Sequence, residues 1–178
     1  MTAFIRLFAL ALLAAAFVAF GSAGVYAAKE TTVRATAVWQ GEGTAVRVGD
    51  KEALMNGVFE GAMFIEDNKG DLNMAKMICP VSMTIQPDGT QAGTGGCLLL
   101  GQDGDQVFAK WNCKGEYLKG CAGQFTLNGG TGKFKGITGG GQFGLRGTMQ
   151  ETMPGGPGVV TQTVIGLAVW PELKYKLP

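Results

Sequence analysis

Cys79, Cys97, Cys113 and Cys121 are the only thiols of the chain. Four thiols suit either two disulfides or a tetrathiolate metal site. None stands in a C-x-x-C pair, and the leader-like N-terminus described below points to an oxidising route, where disulfides are the ordinary outcome. Four cysteines allow three connectivities, and the turn residues favour one of them. The midpoint between Cys79 and Cys97 is Asp88, the centre of the turn triplet Pro87-Asp88-Gly89. A hairpin folded there sets the two cysteines opposite one another. In a non-hydrogen-bonded antiparallel pair the Cα atoms lie about 4.5 Å apart, within disulfide reach. Cys113 and Cys121 flank residues 114–120, a connection with Gly115 and Gly120. The expected bridges are Cys79–Cys97 and Cys113–Cys121.

The chain has no histidine. That removes His-dependent triads, His-ligated haem and the usual zinc hydrolase sites. Among the carboxylates, Glu60 stands in an otherwise apolar run, with Val58 and Phe59 before it and Ala62, Met63 and Phe64 after it. A carboxylate aimed into an apolar barrel would have a raised pKa and could act as general acid or base, with Arg34 as a second polar participant. The same alternation allows Glu60 to face solvent. Asp67-Asn68-Lys69-Gly70-Asp71 and Asp103-Gly104-Asp105 carry oxygen ligands of the kind calcium takes, yet such residues also make turns, and neither run follows the EF-hand spacing. The methionines at 74, 77, 149 and 153 could offer thioethers to Cu(I) or simply fill core. No metal site and no cofactor is assigned. Trp39, Phe59, Trp111, Phe125, Phe134, Phe143 and Trp170 either line a ligand cavity or pack a core.

These groups need positioning, and the composition says by what. Thirty of the 178 residues are glycine, interleaved with valine, phenylalanine and leucine and without a three-residue period. That mixture means strands with tight turns and bends, not collagen and not a flexible linker. Strand candidates are residues 31–39, 44–48, 57–66, 73–86 (bent or broken at Pro80), 97–100, 106–113, 123–127, 141–149 and 159–170. Turn signals separate them at 49–50, 67–71, 87–89, 101–105, 128–132 and 154–158. Eight or nine strands at this spacing read as one all-β domain, a sandwich or a barrel. In residues 106–113, Val107, Ala109, Trp111 and Cys113 share one face, with Phe108 as the exception on the other. Residues 159–170 are apolar on both faces towards their end: Val164, Ala168 and Trp170 stand opposite Ile165, Leu167 and Val169. A strand with two apolar faces needs a cover on its outer side, either a loop or a subunit neighbour.

Residues 128–140 read NGGTGKFKGITGG. The triplet G-[QK]-F recurs here every nine residues, at 123–125, 132–134 and 141–143; a Gly-rich run of that period also suggests a calcium β-roll, but Phe134 stands where its ligand aspartate is required. The run resembles the G-G-T-G-x-F-x-x-x-x-G signature of the allene oxide cyclase and dirigent barrels, with Gly129, Gly130, Thr131, Gly132, Phe134 and Gly139 at the matching positions. The resemblance implies a single antiparallel, calycin-like barrel of eight strands with an apolar cavity, often in trimers. In that superfamily such barrels cyclise an epoxide or orient phenoxy radicals. The polar sites those activities use have no matching motif here, so the resemblance carries the fold and not the activity.

Residues 1–27 have the order of a secretory signal: a basic start at Arg6, an apolar run over 7–20, small residues at 21–24, and an expected cut after Ala27. Uncleaved, the same segment is long enough to anchor the chain in a membrane. Residues 28–178 then form the glycine-rich domain, periplasmic or secreted. The chain's 15 basic and 14 acidic residues form no basic run, which excludes a nucleic-acid footprint. The function expected is that of an exported, disulfide-stabilised barrel that binds an apolar small molecule or acts as an envelope interaction protein, without catalysis and as a homo-oligomer (dimer or trimer). A cyclase or isomerase and a purely structural envelope protein are the alternatives. An apolar cavity with one charged group would favour the enzyme, a cavity without one the binder, and a filled interior a role carried by surfaces.

Overall fold

The computed structural model describes residues 29–50 and 52–177; the expected signal or anchor segment at 1–27 lies outside them. Eight antiparallel strands follow one another in space as in sequence: β1 (Lys29–Arg47), β2 (Ala53–Ile65), β3 (Ala75–Ile85), β4 (Thr90–Leu100), β5 (Gln106–Glu116), β6 (Gly120–Gly130), β7 (Thr138–Gly156) and β8 (Val159–Leu177). β8 pairs back onto β1 and closes the barrel. Alternation explains which residues face in. In β5, Val107, Ala109, Trp111 and Cys113 are buried while Lys110 and Asn112 face out, and the exceptional Phe108 is simply an exposed residue of the outer face.

Most strands run longer than the sequence reading, β7 to Gly156 through the expected turn at 154–158 and β8 to Leu177, and three differences bear on the architecture. Residues 31–39 and 44–48 belong to one strand, β1, because Gly41 and Gly43 stay in register with Phe59 and Gly57 of β2. β4 begins at Thr90, seven residues before the expected start, through a glycine-rich segment that pairs with both neighbours. Pro80 neither bends nor breaks β3. It points outward opposite Val58, and its missing N–H leaves a gap in the β3–β4 ladder only between Ile78 and Val81.

One lateral row shows what the strand glycines do. Gly61, Trp39, Gly166 and Gly147 stand in register across β2, β1, β8 and β7. A Cβ at Gly166 would overlap the Trp39 indole and the Arg146 carbonyl, and one at Gly147 would come within 2.9 Å of the indole. A single large side chain thus fills a layer that four positions would otherwise share.

The barrel is sealed at one end by the segment that joins β6 to β7. The strong turn signal at Asn128-Gly129-Gly130 does not reverse the chain: β6 runs through Gly130, which pairs with Val107 across a bulge. The reversal follows, in a 3-10 turn over Gly132–Phe134. The Thr131 N–H donates to the Gln106 carbonyl (2.8 Å), and the Gln106 N–H donates to Thr131 Oγ1 (2.9 Å). Gly132 sits at φ 50°, where a side chain would also collide with the Asp105 carboxylate. Phe134, with Ile137 and Leu72, is wholly buried and plugs this end.

Candidate functional site

Both expected disulfides form. Cys79 and Cys97 face each other on β3 and β4 with their Cα atoms 4.2 Å apart, the cross-strand geometry that the turn at Asp88 implies. Cys113 and Cys121 are a diagonal pair, 5.6 Å between Cα atoms, because Cys113 stands opposite Gly123 and Cys121 opposite Gly115. All four sulfurs are engaged, so none is free to ligate a metal.

The aromatic residues expected to line a cavity do come together inside the barrel, and they fill it. Phe125 meets the Trp170 ring edge-on at 5.2 Å, Phe143 stacks on Trp170 at 5.9 Å and meets Trp111 edge-on at 5.9 Å, and Phe59 stacks on Trp39 at 4.5 Å. Edge-on and offset arrangements at such separations are the favourable ones for aromatic quadrupoles. Phe134 stands apart from this cluster, in the sealed end. About 30 Å³ remains among the central rings. The indole N–H groups of Trp39 and Trp170 are buried without a hydrogen-bond partner among the described residues.

A second space of about 70 Å³ lies at the opposite end, beneath the mouth. Met55, Met83 and Met149 line it with Gln91, Tyr117 and Gln162. Gln162 Nε2 donates to Tyr117 Oη at 2.9 Å, and both glutamines are buried. Sequence reading missed this polar rim, since a lone glutamine in a strand carries no signal of its direction.

The weak catalytic candidates do not enter the lumen. Glu60 is exposed on the outer face of β2, so the carboxylate in an apolar interior is not formed. Arg34 is exposed on β1, where its Nε lies 3.5 Å from Glu66 Oε2. The two acidic turns have a cation of their own. Lys133 Nζ lies 3.1 Å from Asp71 Oδ1 and 2.8 Å from Asp103 Oδ2, and 5.1 Å from the centre of the Phe134 ring. The Lys133 N–H donates to Asp105 Oδ2 (3.0 Å), while Asp103 Oδ1 accepts the Asp105 N–H (3.2 Å). The hydrogen bond from Lys133 holds the Asp103 carboxyl below its ordinary value, and the same contact raises the Lys133 ammonium above its own. This knot ties the plug to both flanking turns. Its chemistry is structural.

The outer face of β2, β1 and β8 carries the remaining feature. Val38 (55% exposed), Phe64, Ile165, Leu167 and Val169 lie bare on adjacent strands, and a groove of about 900 Å³ runs over Val38, Ile165 and Leu167 between Lys76 and Arg146. The second apolar face of residues 159–170 signalled part of this surface. Among the described residues nothing covers it. Comparison of the chain with protein-family models and with curated proteins gives no match.

Proposed function

We propose that this chain is an exported, disulfide-stabilised β-barrel that acts through its outer face as an interaction protein, without catalysis. The observation that carries this reading is the contrast between the two surfaces of the sheet. The lumen holds spaces of about 30 and 70 Å³, whereas pockets for small ligands begin at about 300 Å³. The outside presents contiguous apolar residues that an isolated domain would bury. The two disulfides support an oxidising compartment. The closed eight-stranded barrel supports kinship with the allene oxide cyclase and dirigent barrels at the level of fold alone.

Native mass spectrometry of the protein recovered from its own cells, without reductant, tests this reading. The expected species lacks the four hydrogens lost in two disulfides and carries no small-molecule adduct. A retained apolar adduct of lipid or terpenoid size overturns it in favour of a binder. One observation favours that second reading: the space at the mouth has an apolar wall and an amide–phenol rim, the combination a small apolar molecule with one polar group would use.

A further inference from the structure

We propose that the mouth of the barrel is a thioether site for a soft monovalent cation, Cu(I) or its analogue Ag(I), with Met55, Met83 and Met149 as the ligands. The site lies inside the wall and is independent of the outer-face reading, so neither falls with the other. Met55 on β2 and Met83 on β3 are direct cross-strand partners, and both are buried on the lumen side. Such a pair holds its Cβ atoms about 5 Å apart. Met83 leans towards β4. A Cβ added at Gly93 would lie 3.2 Å from its Cγ and 3.5 Å from its Cε, so the sulfur between those carbons passes over a residue without a side chain. Met149 reaches the same space from β7. Its Sδ accepts a hydrogen bond from Thr152 Oγ1 (2.8 Å), which leaves the sulfur its second lone pair.

Two features distinguish this trio from core filler. The first is the room around it. The aromatic rings of the central layer, where Met77 stands, leave about 30 Å³, whereas the layer with three methionines leaves about 70 Å³. That is less than an organic ligand ordinarily takes and ample for a bare ion, on which unbranched methionine side chains with three rotatable bonds can close. The second is Gln91, on the strand beside Met83. It is only 8% exposed and lines the space, yet its amide has no hydrogen-bond partner among the described residues. Gln162 and Tyr117 satisfy one another. The Gln91 carbonyl is left to serve as the weak axial ligand that glutamine supplies in blue-copper sites. Among the described residues no carboxylate or ammonium lines the space, and ligands that are neutral and soft select Cu(I) over Ca(II) or Mg(II). The chain has no histidine, and its four cysteines are closed in disulfides, so thioethers are the soft ligands it has to offer. Of the methionines marked in the sequence at 74, 77, 149 and 153, only Met149 takes part. Met74 and Met153 are exposed, and Met77 belongs to the packed centre.

Anaerobic titration of the disulfide-intact protein with Cu(I), against bicinchoninate as a coloured competitor, tests the site. The expected result is one held equivalent, reproduced by Ag(I) in calorimetry, with no measurable uptake of Mg(II) or Ca(II). Met55→Leu, Met83→Leu and Met149→Leu should each weaken binding by at least about tenfold, the lower end for residues that merely support a metal ligand. Met74→Leu, Met77→Leu and Met153→Leu should leave it unchanged. Leucine nearly keeps the volume of methionine, and a urea midpoint near the parent's shows that each variant is folded. X-ray absorption of the Cu(I) protein should find sulfur in the first shell. No binding, indifference to the three substitutions at the mouth, equal loss on substituting Met74 or Met153, or a first shell of nitrogen and oxygen alone would each overturn the proposal.

Discussion

Trp39 is the residue on which the interior turns. Its indole occupies a layer shared with Gly61, Gly166 and Gly147, so the cost of adding a methyl group depends on the position and not on the residue type. Gly166→Ala drives a Cβ into the Trp39 ring and the Arg146 carbonyl and should destabilise the barrel by about 1–3 kcal/mol, the usual range for overpacking. Gly144→Ala, with open space at its Cβ, should stay within about 0.5 kcal/mol of the parent. Urea midpoints of the two variants, measured together, check the contrast. Tyr175 makes a prediction about pH. Its ring is buried near the sealed end, and burial first, then the nearby charges of Asp71 and Asp67, raise its phenol above the ordinary value of 10.0. A folded-state pKa above the unfolded one means the proton is held more tightly in the barrel. The contribution to stability is therefore complete below pH 10 and is lost as pH rises through the folded value. Unfolding midpoints at increasing alkaline pH should fall, and Tyr175→Phe should flatten that fall. Lys133, also raised, adds a decline above its ordinary 10.5 that the variant leaves in place.

At the scale of elements, the two crosslinks differ chiefly in the loop each closes. Cys79–Cys97 spans 18 residues and Cys113–Cys121 spans 8. On the chain-entropy account, replacing the first pair by alanine should cost about 3 kcal/mol and the second about 2.5 kcal/mol. Denaturant unfolding of the two double variants without reductant measures both losses, and an equal or reversed order would count against the entropic account here. The crosslinks were also the most legible elements of the sequence, because Pro87-Asp88-Gly89 marks the first hairpin at its midpoint. The length of β4 was not legible. Glycine is depleted in strands generally, so the Thr-Gln-Ala-Gly-Thr-Gly-Gly run ahead of Cys97 has the composition of a loop while its neighbours hold it in the sheet. The direction of Glu60 was ambiguous for another reason. Val58, Ala62 and Phe64 share its parity, Phe59, Met63 and Ile65 the other, and both sets are apolar. A two-residue period cannot choose a face when both faces are hydrophobic. Whether seven aromatic residues leave a cavity is a sum of volumes over the whole lumen, which no single segment encodes.

At the scale of the molecule, every strand but one pairs with its successor, and the exception is the closure of β8 onto β1. Lys29 stands opposite Leu177 and Val46 opposite Val159, so the first strand waits for the last along its whole length. Both disulfides, by contrast, join strands adjacent in sequence, and their spans neither overlap nor nest. A chain made from its N-terminus can therefore complete the first crosslinked hairpin before the cysteines of the second are added, so sequential oxidation gives the native pairing. The closed barrel, with no free sheet edge, arrives only when the final strand is delivered. Until then β1 and β8 are free edges of an open sheet whose two middle hairpins are already covalently held in register.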